Sequence, residues 1–252
     1  ESLREHSRLS SVNSINWARL AGQIPYYVSA VAQLGGPATF VVPTGNFGDA
    51  FAGVAARRMG LEMHGIVAAV NQNDALARAI NDGLYSRRPA VESGSVSMDV
   101  QAPSNFERLV FEASGRDAER TRDVFETFAR DGAVAFKPDL LAALRAEVSA
   151  VSVDETETRA EIAHAHQRWG KVICPHTAVA LAAARRHDRK EGPVIALSTA
   201  HASKFGGFVS EVLGFEPEPA PVIQALGDRP ERLTIIENSH DAALLAVRAF
   251  AA

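Results

Sequence analysis

Thr39 to Val70 reads TFVVPTGNFGDAFAGVAARRMGLEMHGIVAAV. Thr39-Phe40-Val41-Val42 is a short apolar run suited to a buried strand, and Thr44 to Gly48 is a turn. Asp49 to Met59 is rich in Ala, reads as a helix and stops at Gly60. His64 to Val70 is a second buried strand, and Ala75 to Asn81 a second helix. Strand, turn, helix, strand and helix in that order build parallel sheets.

Working outward, residues 14–34 carry apolar residues near helical spacing and predict one helix kinked at Pro25, ended by Gly35-Gly36-Pro37. Residues 83–105 read as loop. Charged helices are expected at about 105–113, 117–130 and 138–147, and two more at 154–169 and 176–187. Pro193 to Ser198 (PVIALS) is a further buried strand, and Thr199 to Gly206 a turn opening a helix to about Leu213. Pro217, Pro219 and Pro221 predict a loop before a last helix near 239–250. The fold class is α/β, with helices covering a mostly parallel sheet. Three segments follow: 1–104, a charged insertion or lobe at 105–150, and 151–252.

Composition narrows the function classes. The 252 residues hold 26 Lys and Arg against 30 Asp and Glu, a net charge of −4. With no basic block, nucleic acid and anionic membrane are not expected as partners. Cys174 is the single cysteine, which excludes an internal disulfide framework and a Cys-rich zinc site and fits a reducing cytoplasm. The uncharged run between Arg19 and Asp49 is broken by Gly22, Pro25, Gly35, Gly36, Pro37 and Pro43, so it reads as buried core rather than a membrane span. His164 and His166 point to different faces of one helix and make poor metal ligands.

Three segments carry chemistry. Gly45, Asn46, Phe47, Gly48 and Asp49 follow a strand and open a helix. Glycines there let several N–H groups converge on the positive end of the helix, an anion cradle suited to phosphate. The same residues also suit an ordinary strand-to-helix turn. In Ser11-Val12-Asn13-Ser14-Ile15-Asn16-Trp17-Ala18-Arg19, Asn13 or Ser14 is the expected N-cap, and Asn16 and Arg19 share one face. That is a second anion site, or simply a capped helix. Ser198 to Phe205 lies at the carboxyl end of a buried strand, where open α/β sheets bind ligands. Thr199 there offers a hydroxyl to a heterocycle nitrogen, with His201 and Lys204 as nearby donors. Asn73 and Asp74, in the Asn71-Gln72-Asn73-Asp74 stretch, cap a helix or face a ligand.

These blocks occur together and in order. Ser11 to Arg19, Tyr26-Tyr27, VPTGNFGDAFAG at 42–53, NQND at 71–74, Met98-Asp99-Val100 with Asn105, Pro175-His176-Thr177 and STAHASKF at 198–205 resemble the bacterial and fungal threonine synthases. The resemblance covers essentially the whole chain. It implies the core of a fold-type II pyridoxal-phosphate enzyme that converts O-phospho-L-homoserine and water to L-threonine and phosphate by β,γ-elimination and replacement. It further implies roles. Gly45, Asn46, Phe47, Gly48 and Asp49 cradle the phosphate of pyridoxal 5′-phosphate, and Thr199 meets its ring nitrogen. Asn13, Ser14, Asn16 and Arg19 contact the substrate phosphate, with Asn73 and Asp74 near cofactor or substrate.

Two departures stand out. His201-Ala202-Ser203-Lys204-Phe205 replaces the family's His-Pro-Ala-Lys-Phe. The family's cofactor-linking lysine lies in an upstream Phe-Lys-Asp block. Phe136-Lys137-Pro138-Asp139 imitates that block but follows the phosphate loop, so Lys137 is not expected to serve. The upstream half of the family fold is therefore expected outside this sequence, supplied by the same or another chain. The alternatives are a truncated, non-catalytic homologue that binds pyridoxal phosphate or a phosphorylated ligand, and a related phosphate-eliminating enzyme with a different product.

Overall fold

The computed structural model describes residues 13–187, 192–227 and 229–251. Packing gathers Asn13–Pro219 into one unit. A second contains Ala220 and the described residues after it.

In the first unit, α1 (Trp17–Ala21) and α2 (Ile24–Leu34) replace the single kinked helix expected over 14–34. The Gly22 amide closes α1 by donating to Ala18 O, and Pro25 sits in the first turn of α2. Proline has no N–H to continue a helix and is accommodated where that donor is not needed, so the chain breaks and restarts. Then come β1 (Thr39–Pro43), α3 (Gly48–Arg58), β2 (Gly65–Val70) and α4 (Ala75–Asn81). These match the expected order. β3 (Leu84–Ser86) and a 3₁₀ turn at Val96–Met98 interrupt the expected loop. The next elements are α5 (Phe106–Ala113), α6 (Ala118–Asp131), β4 (Ala133–Ala135), α7 (Pro138–Glu147) and β5 (Ser149–Ser152). α8 (Glu155–Trp169), α9 (Pro175–Arg186), β6 (Val194–Ala196), a 3₁₀ turn at Ala202–Phe205 and α10 (Gly206–Leu213) complete the unit.

The main sheet is parallel throughout, in the order β5-β2-β1-β6. Val41 lies opposite Val67 on one side and Ala196 on the other. β3 and β4 form a separate antiparallel pair. Alternation along the strands defines three layers. Phe40, Val42, Ile66, Ala68 and Val70 pack on one face with α3, α4, α5 and α7. Val41, Val67 and Ala69 pack on the other face with Val179, Ala180 and Ala183 of α9. A parallel sheet needs this cover on both faces, which is why β1 is buried at every residue.

The helices read as an insertion or lobe at 105–150 share this core. Leu109, Leu140 and Leu144 are buried in the same cluster as Phe40, and β5 is a strand of the main sheet. The boundaries expected at 104/105 and 150/151 therefore fall inside one packed unit. α2 is different, because it leaves Tyr26, Val28 and Leu34 exposed. In the second unit, α11 (Pro221–Gln224) falls within the expected loop, and α12 (His240–Ala251) is the expected last helix. Among the described residues no helix is long and apolar enough to cross a membrane.

Candidate functional site

β1 and β6 lie side by side, and both deliver their carboxyl ends to one place. Beyond them sits a cavity of about 230 Å³ whose wall includes Ser14, Arg19, Gly45 to Asp49, His176, Thr199 and Lys204. Segments more than 150 residues apart thus converge at the end of the sheet where ligands bind in such folds.

The floor is the loop from Thr44 to Gly48. A Cβ on Gly45 would lie 2.2 Å from Ser97 O, so only glycine lets the loop run against the 95–99 segment. The tight turn itself is made elsewhere. Phe47, not a glycine, takes the left-handed conformation with φ 64°. That costs about 1–2 kcal/mol for an L-residue. The Phe47 ring is fully buried, edge-on to Phe106 at 6.0 Å. Burying a phenylalanine contributes about 1.5–3 kcal/mol, enough to hold the strained turn. α3 then begins with no side-chain cap, which leaves the amides of its first turn for a ligand.

Asn105 joins the two anion segments. Its Nδ2 donates to Asn46 O at 3.1 Å and to Ser14 O at 3.0 Å. Arg108 donates to Asn105 Oδ1 and to Ile15 O, and its guanidinium lies over the Trp17 ring. Ser14 and Arg19 line the cavity. The expected N-cap is corrected, since Asn16 caps α1 by accepting from the Ala18 amide at 3.0 Å. Asn13 accepts from the Ile15 amide, an Asx turn. Asn13 and Asn16 therefore shape the segment and are not in the cavity wall. Ser11 and Val12, part of the same sequence block, lie outside the described residues.

Asn73 and Asp74, expected near cofactor or substrate, do not line this cavity. Asn73 donates to Asp99 Oδ1 at 3.0 Å and to Val91 O, and accepts from the Val91 amide. Asp99 also accepts from Asn71 and from Ser93, through both its amide and its hydroxyl. This buried network pins the 91–99 loop, whose Ser97 and Met98 form part of the cavity wall. Asp74 pairs with Arg78 at 2.9 Å.

Two titratable groups in the wall depart from ordinary behaviour. Burial pushes the Asp49 carboxyl from 3.8 up to about 6, opposed by the Tyr27 hydroxyl, which donates to Asp49 Oδ1 at 3.2 Å. Burial, helped by Lys204, lowers His176 from 6.5 to about 4. His176 is thus neutral at physiological pH. Its Nε2 accepts from the Ser97 amide at 3.2 Å, which leaves the proton on Nδ1, a buried nitrogen with no hydrogen-bond partner among the described residues. Exposed Thr199 lines the rim. Sequence reasoning placed Ser97 and Met98 in a loop and gave neither a role at the site, although Met98 belongs to one of the resembling blocks. The signal that could have found them is Gly45, a glycine demanded by close approach rather than by positive φ.

A family profile described as "Threonine synthase, C-terminal" matches residues 177–250. Threonine synthase of Pseudomonas aeruginosa is 37% identical over 249 residues, covering 97% of this chain and 52% of that protein. That of Corynebacterium glutamicum is 38% identical, covering 95% and 52%. The crystal structure of pyridoxal-phosphate-bound threonine synthase from Brucella melitensis superposes with a TM-score of 0.95 at 38% identity, over 99% of this chain and 55% of that one. The chain belongs with the carboxy-terminal part of threonine synthases. It spans about half the length of the curated relatives it matches. Its three-layer α/β unit is the fold-type II core of those enzymes, and the cavity sits at the carboxyl ends of its strands.

Proposed function

We propose that the complete protein is a pyridoxal-phosphate-dependent threonine synthase acting on O-phospho-L-homoserine, and that this cavity receives the phosphate groups of cofactor and substrate. One observation carries the reading: Ser14 and Arg19, Gly45 to Asp49, and Thr199 line a single small cavity. The donor set fits the cofactor. No cap side chain covers the start of α3, and Arg19, Lys204 and Thr199 share the cavity wall with it.

In this reading the amides of Gly45 to Asp49 hold the cofactor phosphate, because a helix N-terminus offers both donors and partial positive charge. The Thr199 hydroxyl meets the ring nitrogen as a neutral partner. Arg19, with Ser14, grips the substrate phosphate through charge-assisted hydrogen bonds and holds it as it leaves. Lys204 adds a second positive charge to the wall. When bound, the cofactor supplies the electron sink that makes proton removal from the substrate possible. Its linking lysine is expected in the upstream segment and is none of Lys137, Lys171, Lys190 and Lys204. The single cysteine, buried at Cys174, supports a reducing cytoplasm as the compartment.

The test uses the full-length protein. Threonine and phosphate are expected in equal amounts from O-phospho-L-homoserine. Arg19→Ala is expected to raise KM about 10–100-fold, the worth of a charged hydrogen bond, with cofactor affinity within threefold of the parent. Cofactor binding without phosphate release would leave a binding-only protein. Release of a 2-oxo acid would make it a different eliminase.

A further inference from the structure

The anion cradle contains an acid. Asp49 stands in the first turn of α3 and lines the cavity of about 230 Å³ together with the loop whose amides would hold a phosphate. In a space that small, two like charges lie within a Debye length of about 8 Å with little water between them. An ionised carboxylate there repels the group the loop is shaped to receive. Tyr27 approaches Asp49 from α2, fully buried, its hydroxyl donating to Asp49 O at 2.8 Å and to Oδ1 at 3.2 Å. One phenol proton is thus shared between the main-chain and side-chain oxygens of Asp49, which ties the acid to α2. The other titratable groups in the wall are Arg19 from α1, His176 from α9 and Lys204 from the 3₁₀ turn.

We propose that Asp49 takes up one proton from solvent when a phosphate dianion enters the cradle, and so becomes a hydrogen-bond donor to it. Oδ1 continues to accept from Tyr27, and the proton resides on Oδ2. The inference rests on the reading that this cavity binds phosphate. The structure already prepares the step, since burial, even opposed by the Tyr27 bond, brings the carboxyl to about 6 before any dianion arrives. A dianion beside it raises the value further.

The probe is sulfate, which carries no titratable proton of its own near neutrality, added to the cofactor-free full-length protein. Calorimetry in buffers of different ionisation heat counts the protons, and competition against pyridoxal 5′-phosphate reports whether sulfate occupies the cradle. Expected at pH 7.5 is an uptake near one proton per sulfate, with Kd rising about tenfold per pH unit between pH 7 and 8. Asp49→Asn keeps an acceptor for Tyr27 and a donor for the anion. It is expected to bind with no uptake and a flat pH profile. Tyr27→Phe removes a bond that favours the ionised carboxyl, so its rise in Kd is expected to begin at higher pH. It supplies the test if Asp49→Asn does not fold. Sulfate that competes with cofactor but brings no proton overturns the inference and leaves the phosphate reading standing. Undiminished uptake in Asp49→Asn also overturns it, by assigning the proton to another group such as His176. Sulfate that neither binds nor competes overturns the phosphate reading itself.

Discussion

Gly45→Ala is the sharpest probe of the cradle. The new methyl would lie 2.2 Å from Ser97 O and 3.2 Å from Met98 Cα. Ordinary carbon–oxygen contact begins at about 3.3 Å, so one strand of backbone must move by about 1 Å. The 95–99 segment resists. The Ser97 amide is bonded to His176, the Met98 amide to Ser95 O at 2.7 Å, and Asp99 is tied to Asn71, Asn73 and Ser93. Yielding breaks at least one buried hydrogen bond, worth about 1–3 kcal/mol, and overpacking adds about 1–3 kcal/mol. The expected loss is about 2–6 kcal/mol, read as a lowered urea midpoint of the full-length protein. Displacing the amides should weaken pyridoxal 5′-phosphate binding about 10–100-fold, read from cofactor absorbance. Gly48→Ala is the control, because its Cβ meets nothing closer than 3.5 Å and should change stability by less than about 0.5 kcal/mol. A Gly45→Ala protein as stable as Gly48→Ala, with unchanged cofactor affinity, would refute the close-approach reasoning.

Other expectations follow from single contacts. Asn105→Ala removes the donor to both Ser14 O and Asn46 O and should cost about 1–3 kcal/mol, with a larger rise in substrate KM than Arg108→Ala gives. Folding raises the Asp49 carboxyl from 3.8 to about 6, so the folded protein binds that proton more tightly than the unfolded chain. The resulting penalty is absent below about pH 4 and complete above about pH 6, where it reaches about 3 kcal/mol. Asp49→Asn should therefore stabilise the cofactor-free protein at pH 7.5 in urea titration, and the gain should vanish at pH 4. Cys174 is fully buried and caps α9 by accepting from the Thr177 amide. Cys174→Ser should change stability by less than about 1 kcal/mol, since serine is a good cap, and the parent thiol should react with a disulfide reagent only on unfolding.

Much of the fold was legible because its signals are local. β1, α3, β2 and α4 each announce themselves within a dozen residues by apolar runs and glycine stops. β3, β4 and β5 did not, since three or four residues are too short a run to show a periodicity. The 105–150 helices looked separate because their outer faces are charged, although Leu109 and Leu144 are fully buried. At the site, Gly45 to Asp49, Arg19 and Thr199 were legible as candidates, and all of them line the one cavity. The loop-pinning bonds of Asn73 were not legible for a physical reason: its partners at Val91 and Asp99 lie 18 and 26 residues away. An amide looks the same in a sequence whether it faces a ligand or ties down a loop.

The neighbourhood of β1 and β6 has a consequence for synthesis. Pro43 ends β1, and its pairing partner begins at Val194, about 150 residues later. At about 5–20 residues per second, a ribosome takes roughly 10–30 s to deliver β6 after β1 has emerged. Throughout that interval one edge of β1 lacks its strand, and Thr199 has not yet been made. A nascent chain can thus fold the phosphate loop early yet have no complete pocket. Ligand capture becomes a late event, and chaperones have a long window in which to cover the open edge.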